Sequence, residues 1–97
     1  MYLSTTDQND TATLVAKWVR GNTIGYGAVA TRVGRGHHAD AAIVAIASTG
    51  ETDCTAKVAV YHDRLVYVSA TGTHISYPTR WSDAGRIVGA FLLLENN

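Results

Sequence analysis

The sequence predicts an α+β fold in which an antiparallel sheet of about five strands carries two helices on one face, in the order ββ-α-βββ-α. Short runs of β-branched and aromatic residues fill 58–77 and are separated by turn-forming residues, which is typical of a three-stranded antiparallel meander. Two other segments, 38–48 and 82–94, place their apolar residues at helical spacing. These patterns together predict the fold class.

Length and composition indicate a single folded domain. The chain has 97 residues, of which 46% are hydrophobic and 16% charged, so it can bury one core but not two. Residues 1–11 are largely polar and lack periodicity, and we expect them to form a flexible lead-in to one domain spanning 12–97. The formal net charge of +0 gives no overall electrostatic attraction to nucleic acid or to an anionic membrane.

The cysteine content and the first residues predict a cytoplasmic location. Cys54 is the one cysteine of the chain, which excludes an intramolecular disulfide and a multi-cysteine zinc site. The first residues lack the basic region and the apolar core of a signal peptide, and no apolar run is long enough to span a membrane. We therefore expect a cytoplasmic protein without membrane contacts.

The first element is predicted to be a β-hairpin. Weak alternation of apolar and polar residues on both sides of Gly21-Asn22 is typical of two strands joined by a two-residue turn. That turn would set Trp18 opposite Gly25 and diagonal to Gly27. The indole would then cover strand backbone that the glycines leave bare.

The segments 38–48 and 82–94 are predicted to be the two helices. Alanine, which is abundant in the first, is the best helix former, and Asp40 would lie near its positive N-terminal end. In the second, Gly85 and Gly89 each cost about 1 kcal/mol relative to alanine. Both segments could instead be buried strands, and the fold would then be a seven-strand β-sandwich or a small barrel.

Within the meander, Thr71-Gly72 is predicted to be the turn of the second hairpin. A two-residue turn there pairs Val68 with Ile75 and places both side chains on one face of the sheet. The first turn of the meander falls near 62–64.

A loop rich in glycine, arginine and histidine is the candidate ligand site. Arg32, Arg35, His37 and His38 lie in one segment with two glycines, directly before a predicted helix. Backbone amides at a helix N-terminus and arginine side chains suit an anion such as phosphate. The segment matches neither the P-loop nor the dinucleotide-binding pattern. The alternative is therefore a flexible connector in which Arg32 pairs with Asp10.

The sequence contains no catalytic or metal-binding pattern. The four histidines, Asp40 and Cys54 lack the spacing of zinc ligands. The serines lack a nucleophile-elbow motif, and the eight acidic residues are scattered rather than paired. We therefore expect a protein that is not an enzyme and that needs neither a metal nor another cofactor.

The composition favours a small non-enzymatic binding protein that occupies the surface of a macromolecular partner. Phages encode accessory and inhibitor proteins of this kind, including those that act against host defences. Scarce charge together with tyrosine, tryptophan and arginine is typical of protein–protein interfaces. The interface residues expected on the first hairpin are Trp18 on one face and Val15, Val19, Ile24 and Tyr26 on the other.

A symmetric homodimer is the simplest assembly that would cover such faces, and a protein is the expected partner. The alternative function is a phosphate or nucleotide binder that uses the 32–38 loop. A metal-dependent hydrolase is the third possibility. Nucleic-acid binding is not favoured, because aromatic stacking platforms are normally surrounded by basic residues and few lysines fall on the predicted strands.

Overall fold

The computed structural model describes residues 2–35 and 39–95, in which five antiparallel strands pair in chain order and two helices flank them. The predicted α+β class with a five-stranded antiparallel sheet and two helices is confirmed. The all-β alternative is excluded by the two helices. The elements are α1 (Thr5–Asn22), β1 (Tyr26–Thr31), β2 (Ala42–Ser48), β3 (Ala56–Val60), β4 (Leu65–Ser69), β5 (Gly72–Ser76) and α2 (Ala84–Glu95), with a short 3-10 helix at Trp81–Asp83 directly before α2.

The first helix is α1, at the start of the chain, where the sequence predicts a lead-in and a strand. The hydroxyl of Ser4 accepts a hydrogen bond from the backbone N–H of Asp7 and caps the helix. Gly21-Asn22, predicted to be a hairpin turn, forms the last turn of this helix. The apolar residues of the segment fit the helical period better than the alternation of a strand, and those buried are Ala12, Val15, Ala16 and Val19.

Residues 5–11 fold because their polar side chains find partners in the sheet. Gln8 is buried, and its Nε2 donates to the backbone carbonyls of Asp40 and Val60 at 2.9 Å each. The Oδ1 of Asn9, also buried, accepts a hydrogen bond of 2.7 Å from the N–H of Val33. These bonds satisfy backbone groups at one end of the sheet, and residues 5–11, predicted to be part of a lead-in, belong to α1.

The segment 38–48, predicted to be a helix, contains strand β2. Its residues alternate between the core, where Val44 and Ile46 are fully buried, and the opposite face, where Ile43 and Ala45 are partly exposed. A short run of alanine and β-branched residues fits helical and strand spacing equally well, and here its pairing with β1 and β3 decides. The second predicted helix, 82–94, is confirmed as α2.

Strands β3, β4 and β5 form the predicted three-stranded meander. The second hairpin turns at Ala70-Thr71, so that Val66 pairs with Ile75, where the prediction paired Val68. The predicted register is wrong by two residues. Because side chains alternate with a period of two, this slip leaves each side chain on the face where it was expected.

The core lies between one face of the sheet and the two helices. Val44, Val58 and Tyr67 are neighbours across β2, β3 and β4, and all three are fully buried. The helices complete this core with side chains from both, namely Val15 and Val19 of α1 and Val88 and Leu92 of α2. Both helices therefore cover the same face of the sheet.

Trp18 of α1 packs directly on two glycines of α2. A Cβ atom added at Gly85 would lie 2.6 Å from the Cβ of Trp18, and one added at Gly89 would overlap the six-membered ring of the indole. The glycines that weaken α2 in isolation are thus required for its contact with α1. The prediction that Trp18 covers Gly25 and Gly27 across a hairpin is wrong, because Trp18 lies in a helix and packs on Gly85 and Gly89.

We expect Gly89→Ala to lower the free energy of unfolding by about 1–3 kcal/mol, because the indole must move to admit the methyl group. This loss should exceed the gain of about 1 kcal/mol in helix propensity. Urea denaturation followed by circular dichroism measures the difference. The matched control is Gly21→Ala in α1, where an added Cβ has nothing within 4 Å and should stabilise the protein by up to about 1 kcal/mol. Equal effects of the two substitutions would contradict the packing of Trp18 on α2.

Candidate interaction surface

The face of the sheet opposite the helices is covered by no helix or strand that the structure describes. Side chains alternate between the two faces of a strand, so the strand pairing determines which residues lie on this side. They form two rows across the sheet, and we call them together the open face. One row is Val29, Ala45, Lys57, Val68 and Thr73, the other is Thr31, Ile43, Ala59, Val66 and Ile75, and Gly27 and Ala47 lie beyond the first row.

Most side chains of the open face are apolar, and the polar ones are Thr31, Lys57 and Thr73. Val29 is 67% exposed, Val68 is 45% exposed and Ile75 is 55% exposed. Five strands about 4.8 Å apart and about five residues long give the whole face a flat area of about 400 Å². Exposed apolar patches of a few hundred Å² often mark interaction sites.

Small and large side chains are mixed on the open face. Ala45, Ala47 and Ala59 lie on β2 and β3, but Ile43 and Lys57 lie on the same two strands. The larger apolar side chains of the neighbouring strands are Val29, Val66, Val68 and Ile75.

Lys57 is the one charged residue of the open face. It is exposed, and it forms no ion pair with any residue that the structure describes. It is the second residue of β3, so its ammonium group can reach solvent past the end of the strand. The surface is therefore almost uncharged.

The five residues predicted to form an interface do not lie on the open face. Val15 and Val19 are 0% exposed in the core, where no partner of the folded chain can reach them. Trp18 is half-buried between the helices. Ile24 is fully exposed between α1 and β1, and Tyr26 begins β1 on the side that the helices cover. The run 43–47 is apolar at every position, so no alternation in the sequence marked which of its side chains lie on the open face.

The predicted anion loop is described only in part. Arg32 and Arg35 are exposed in the turn after β1, where the N–H of Arg35 donates to the carbonyl of Arg32 at 3.1 Å. His37 and His38 lie outside the described residues. Arg32 and Asp10 line the same small cavity but form no ion pair. Across 2–35 and 39–95, no group of three histidine, cysteine or acidic side chains is placed to hold a metal ion.

Sequence reasoning did not find a carboxylate held by three hydroxyl groups at the end of α2. Glu95 accepts hydrogen bonds from Tyr67 at 2.8 Å and from Ser69 and Thr71 at 2.5 Å each. The Nε2 atom of His74 lies 3.9 Å from the same carboxylate. These contacts join the last turn of α2 to the β4–β5 hairpin.

The hydroxyl groups determine the ionisation of this cluster. Burial by itself would raise the pKa of Glu95, but hydrogen bonds from Ser69, Thr71 and Tyr67 and the nearby His74 outweigh it and lower the pKa. Burial, together with the hydrogen bond to Glu95, raises the pKa of Tyr67 well above its usual value. The hydroxyl of Ser69 donates to a carboxylate and not to an imidazole, so the arrangement is that of a structural tie and not of an activated nucleophile.

Comparisons of the chain with protein-family models, with curated proteins and with solved structures find no match. None of the described helices has the length and apolar character needed to cross a membrane. The open face is an exposed surface of regular structure on which several large apolar side chains lie together.

Glu95→Gln should reduce the dependence of stability on acid pH. The pKa of Glu95 in the folded state lies below its ordinary value of 4.5, so the carboxylate stabilises the fold above that pH, and this stabilisation is lost as the pH falls through the folded-state pKa. We expect the variant to lose about 1–3 kcal/mol near neutral pH and less at about pH 3.

Urea denaturation at several pH values between about 7 and 3 measures this difference. The matched control is Glu51→Gln in the exposed β2–β3 loop, which should leave the pH profile of stability unchanged. A Glu95→Gln profile parallel to that of the wild type would show that the hydroxyl cluster does not stabilise the ionised carboxylate.

Proposed function

We propose that this chain is a small non-enzymatic binding protein that acts by covering the surface of a protein partner with its open face. The exposure of Val29, Val68 and Ile75 on one continuous side of the sheet is the observation that carries the proposal. A partner would remove the exposed side chains of Val29, Val68 and Ile75 from water, which favours association by about 25 cal/mol per Å² of apolar surface before the costs of association are subtracted.

A protein fits this surface better than a nucleic acid does. Nucleic-acid binding depends on several basic groups that contact phosphates, and the open face offers only Lys57. Base stacking needs exposed aromatic rings, and the aromatic strand residues Tyr26 and Tyr67 lie on the opposite side of the sheet. A partner with its own flat apolar surface would complement the open face.

The hydrogen bonds and the lowered pKa of Glu95 support the proposal that the protein is not an enzyme. This carboxylate has a lowered pKa, whereas a general acid or base acts best with a pKa near the working pH. Its hydrogen-bonding capacity is directed to the hydroxyls of Tyr67, Ser69 and Thr71, which hold α2 in place. The cluster thus fixes α2 to the side of the sheet opposite the open face.

Blocking a partner surface is how a small accessory or inhibitor protein, such as those that phages direct against host defences, would act. Such a role requires a stable surface of fixed shape and does not require catalysis. The central strands β2, β3 and β4 pack their inner side chains into the core, which holds the open face flat and preformed. A preformed face loses little conformational entropy on binding.

Val68→Lys should weaken partner binding at least tenfold, because a charge on the open face would have to lose its water in the complex. Proteins retained by the immobilised wild type from a cell extract are identified, and the binding of each purified candidate is then measured by calorimetry. The control is Leu93→Lys on α2, which alters a side chain of similar exposure, 53% against 45%, on the helical side. A partner that binds Val68→Lys as tightly as the wild type would contradict the proposal.

A further inference from the structure

We infer that a second copy of this chain occupies the open face in a symmetric face-to-face dimer. This inference rests on the proposed function, because it names a second copy of the chain as the protein partner whose surface the open face covers. Two sheets that pack face to face lie about 10 Å apart and keep their strands within about 30° of one another. The pair would be a sandwich of two sheets with the helices on its outer sides.

The area of the open face suits a weak dimer. Two faces of about 400 Å² each give about 800 Å² of flat contact. That area lies at the low end of protein interfaces, where weak and transient complexes are found. We therefore expect a dimer with a dissociation constant in the micromolar range, populated at high protein concentration.

The edges of the sheet are less suited to self-association than its open face. The free edge of β1 is covered in part by Arg20, whose guanidinium donates to the carbonyl of Ala28 at 2.8 Å. The other edge, β5, is only five residues long, and Pro78 follows it closely. Short edges and edges capped by charged side chains resist pairing with another chain.

Lys57 distinguishes two possible symmetric arrangements. A two-fold axis parallel to the strands would pass through the central strand β3 and place Lys57 opposite Lys57 of the second copy. Two ammonium groups would then meet in an apolar interface, which is unfavourable. An axis across the strands, between the two rows of the open face, places Lys57 opposite Ala59 of the second copy.

On β2, β3 and β5 the crosswise arrangement sets a small side chain opposite a larger one, whereas on β4 it sets Val68 opposite Val66 of the second copy. Ala45 would face Ile43 of the second copy, and Thr73 would face its Ile75. The methylenes of Lys57 would lie over Ala59 of the second copy while the ammonium group stays in water at the end of the strand. Facing a small residue with a large one fills the space between two sheets evenly.

Sedimentation equilibrium over about 1–500 µM, a range that brackets a micromolar dissociation constant, tests the inference. The wild type should shift from 10.4 kDa to twice that mass. Ile75→Lys should raise the dissociation constant at least tenfold, whereas Leu14→Lys, at an α1 position of nearly equal exposure, 54% against 55%, should leave it unchanged. Val29→Lys is a second open-face variant, and circular dichroism verifies that each variant is folded.

Native mass spectrometry of the wild type mixed with Lys57→Glu tests the direction of the axis. The crosswise arrangement predicts a statistical mixture of homodimers and heterodimers, because Lys57 does not face its own copy. An axis along the strands would make the heterodimer predominate, because it would replace a repulsive pair with an attractive one. A predominant heterodimer would therefore overturn the crosswise arrangement.

If the wild type remains at 10.4 kDa at every concentration, the inference of a dimer is wrong. It is also wrong if Leu14→Lys weakens the dimer and Ile75→Lys does not, because the dimer would then form through another surface. The proposed function fails by a different result. If Val68→Lys loses a partner protein while the wild type is monomeric, the open face binds that partner and the second copy is the wrong occupant. If Val68→Lys retains every partner, the open face is not the binding surface and the proposed function fails as well.

Discussion

The contact of Trp18 with Gly85 and Gly89 determines how the two helices share one side of the sheet. Because the indole fills the space that the missing side chains leave, α1 and α2 lie against each other and enclose the core together. A helix on each side would have covered both faces of the sheet. With both helices on one side, the core lies on one face of the sheet, and no described helix or strand covers the other face.

The central strands carry apolar residues on both faces, which is unusual for an antiparallel sheet that has one face in water. In β2, Val44 and Ile46 point into the core while Ile43 and Ala45 point outward. Sheets with one solvated face normally alternate apolar and polar side chains, and continuous apolar runs are typical of strands covered on both sides. The composition of β2 is therefore typical of a strand covered on both faces, which is what the proposed interface would provide.

The same property limits what the sequence could predict. The meander and α2 follow from local patterns, and the fold class follows from them. The identity of β2 does not, because a run of alanine, valine and isoleucine satisfies both periods and only its pairing with distant residues selects the strand. The position of α1 was obscured by polar residues such as Gln8 and Asn9, whose burial depends on backbone groups more than twenty residues away. The open face was inaccessible for the same reason, since it exists only once all five strands are in register.

The thiol of Cys54 is a site at which a label would report whether the open face is exposed to water. The thiol is exposed in the loop before β3, and it lines a shallow depression together with Lys57 and Val68 at the border of the open face. As the one cysteine of the chain, it can be labelled with an environment-sensitive fluorophore without any substitution. Emission from that label would follow the exclusion of water from the neighbouring strands in real time, whatever molecule excludes it.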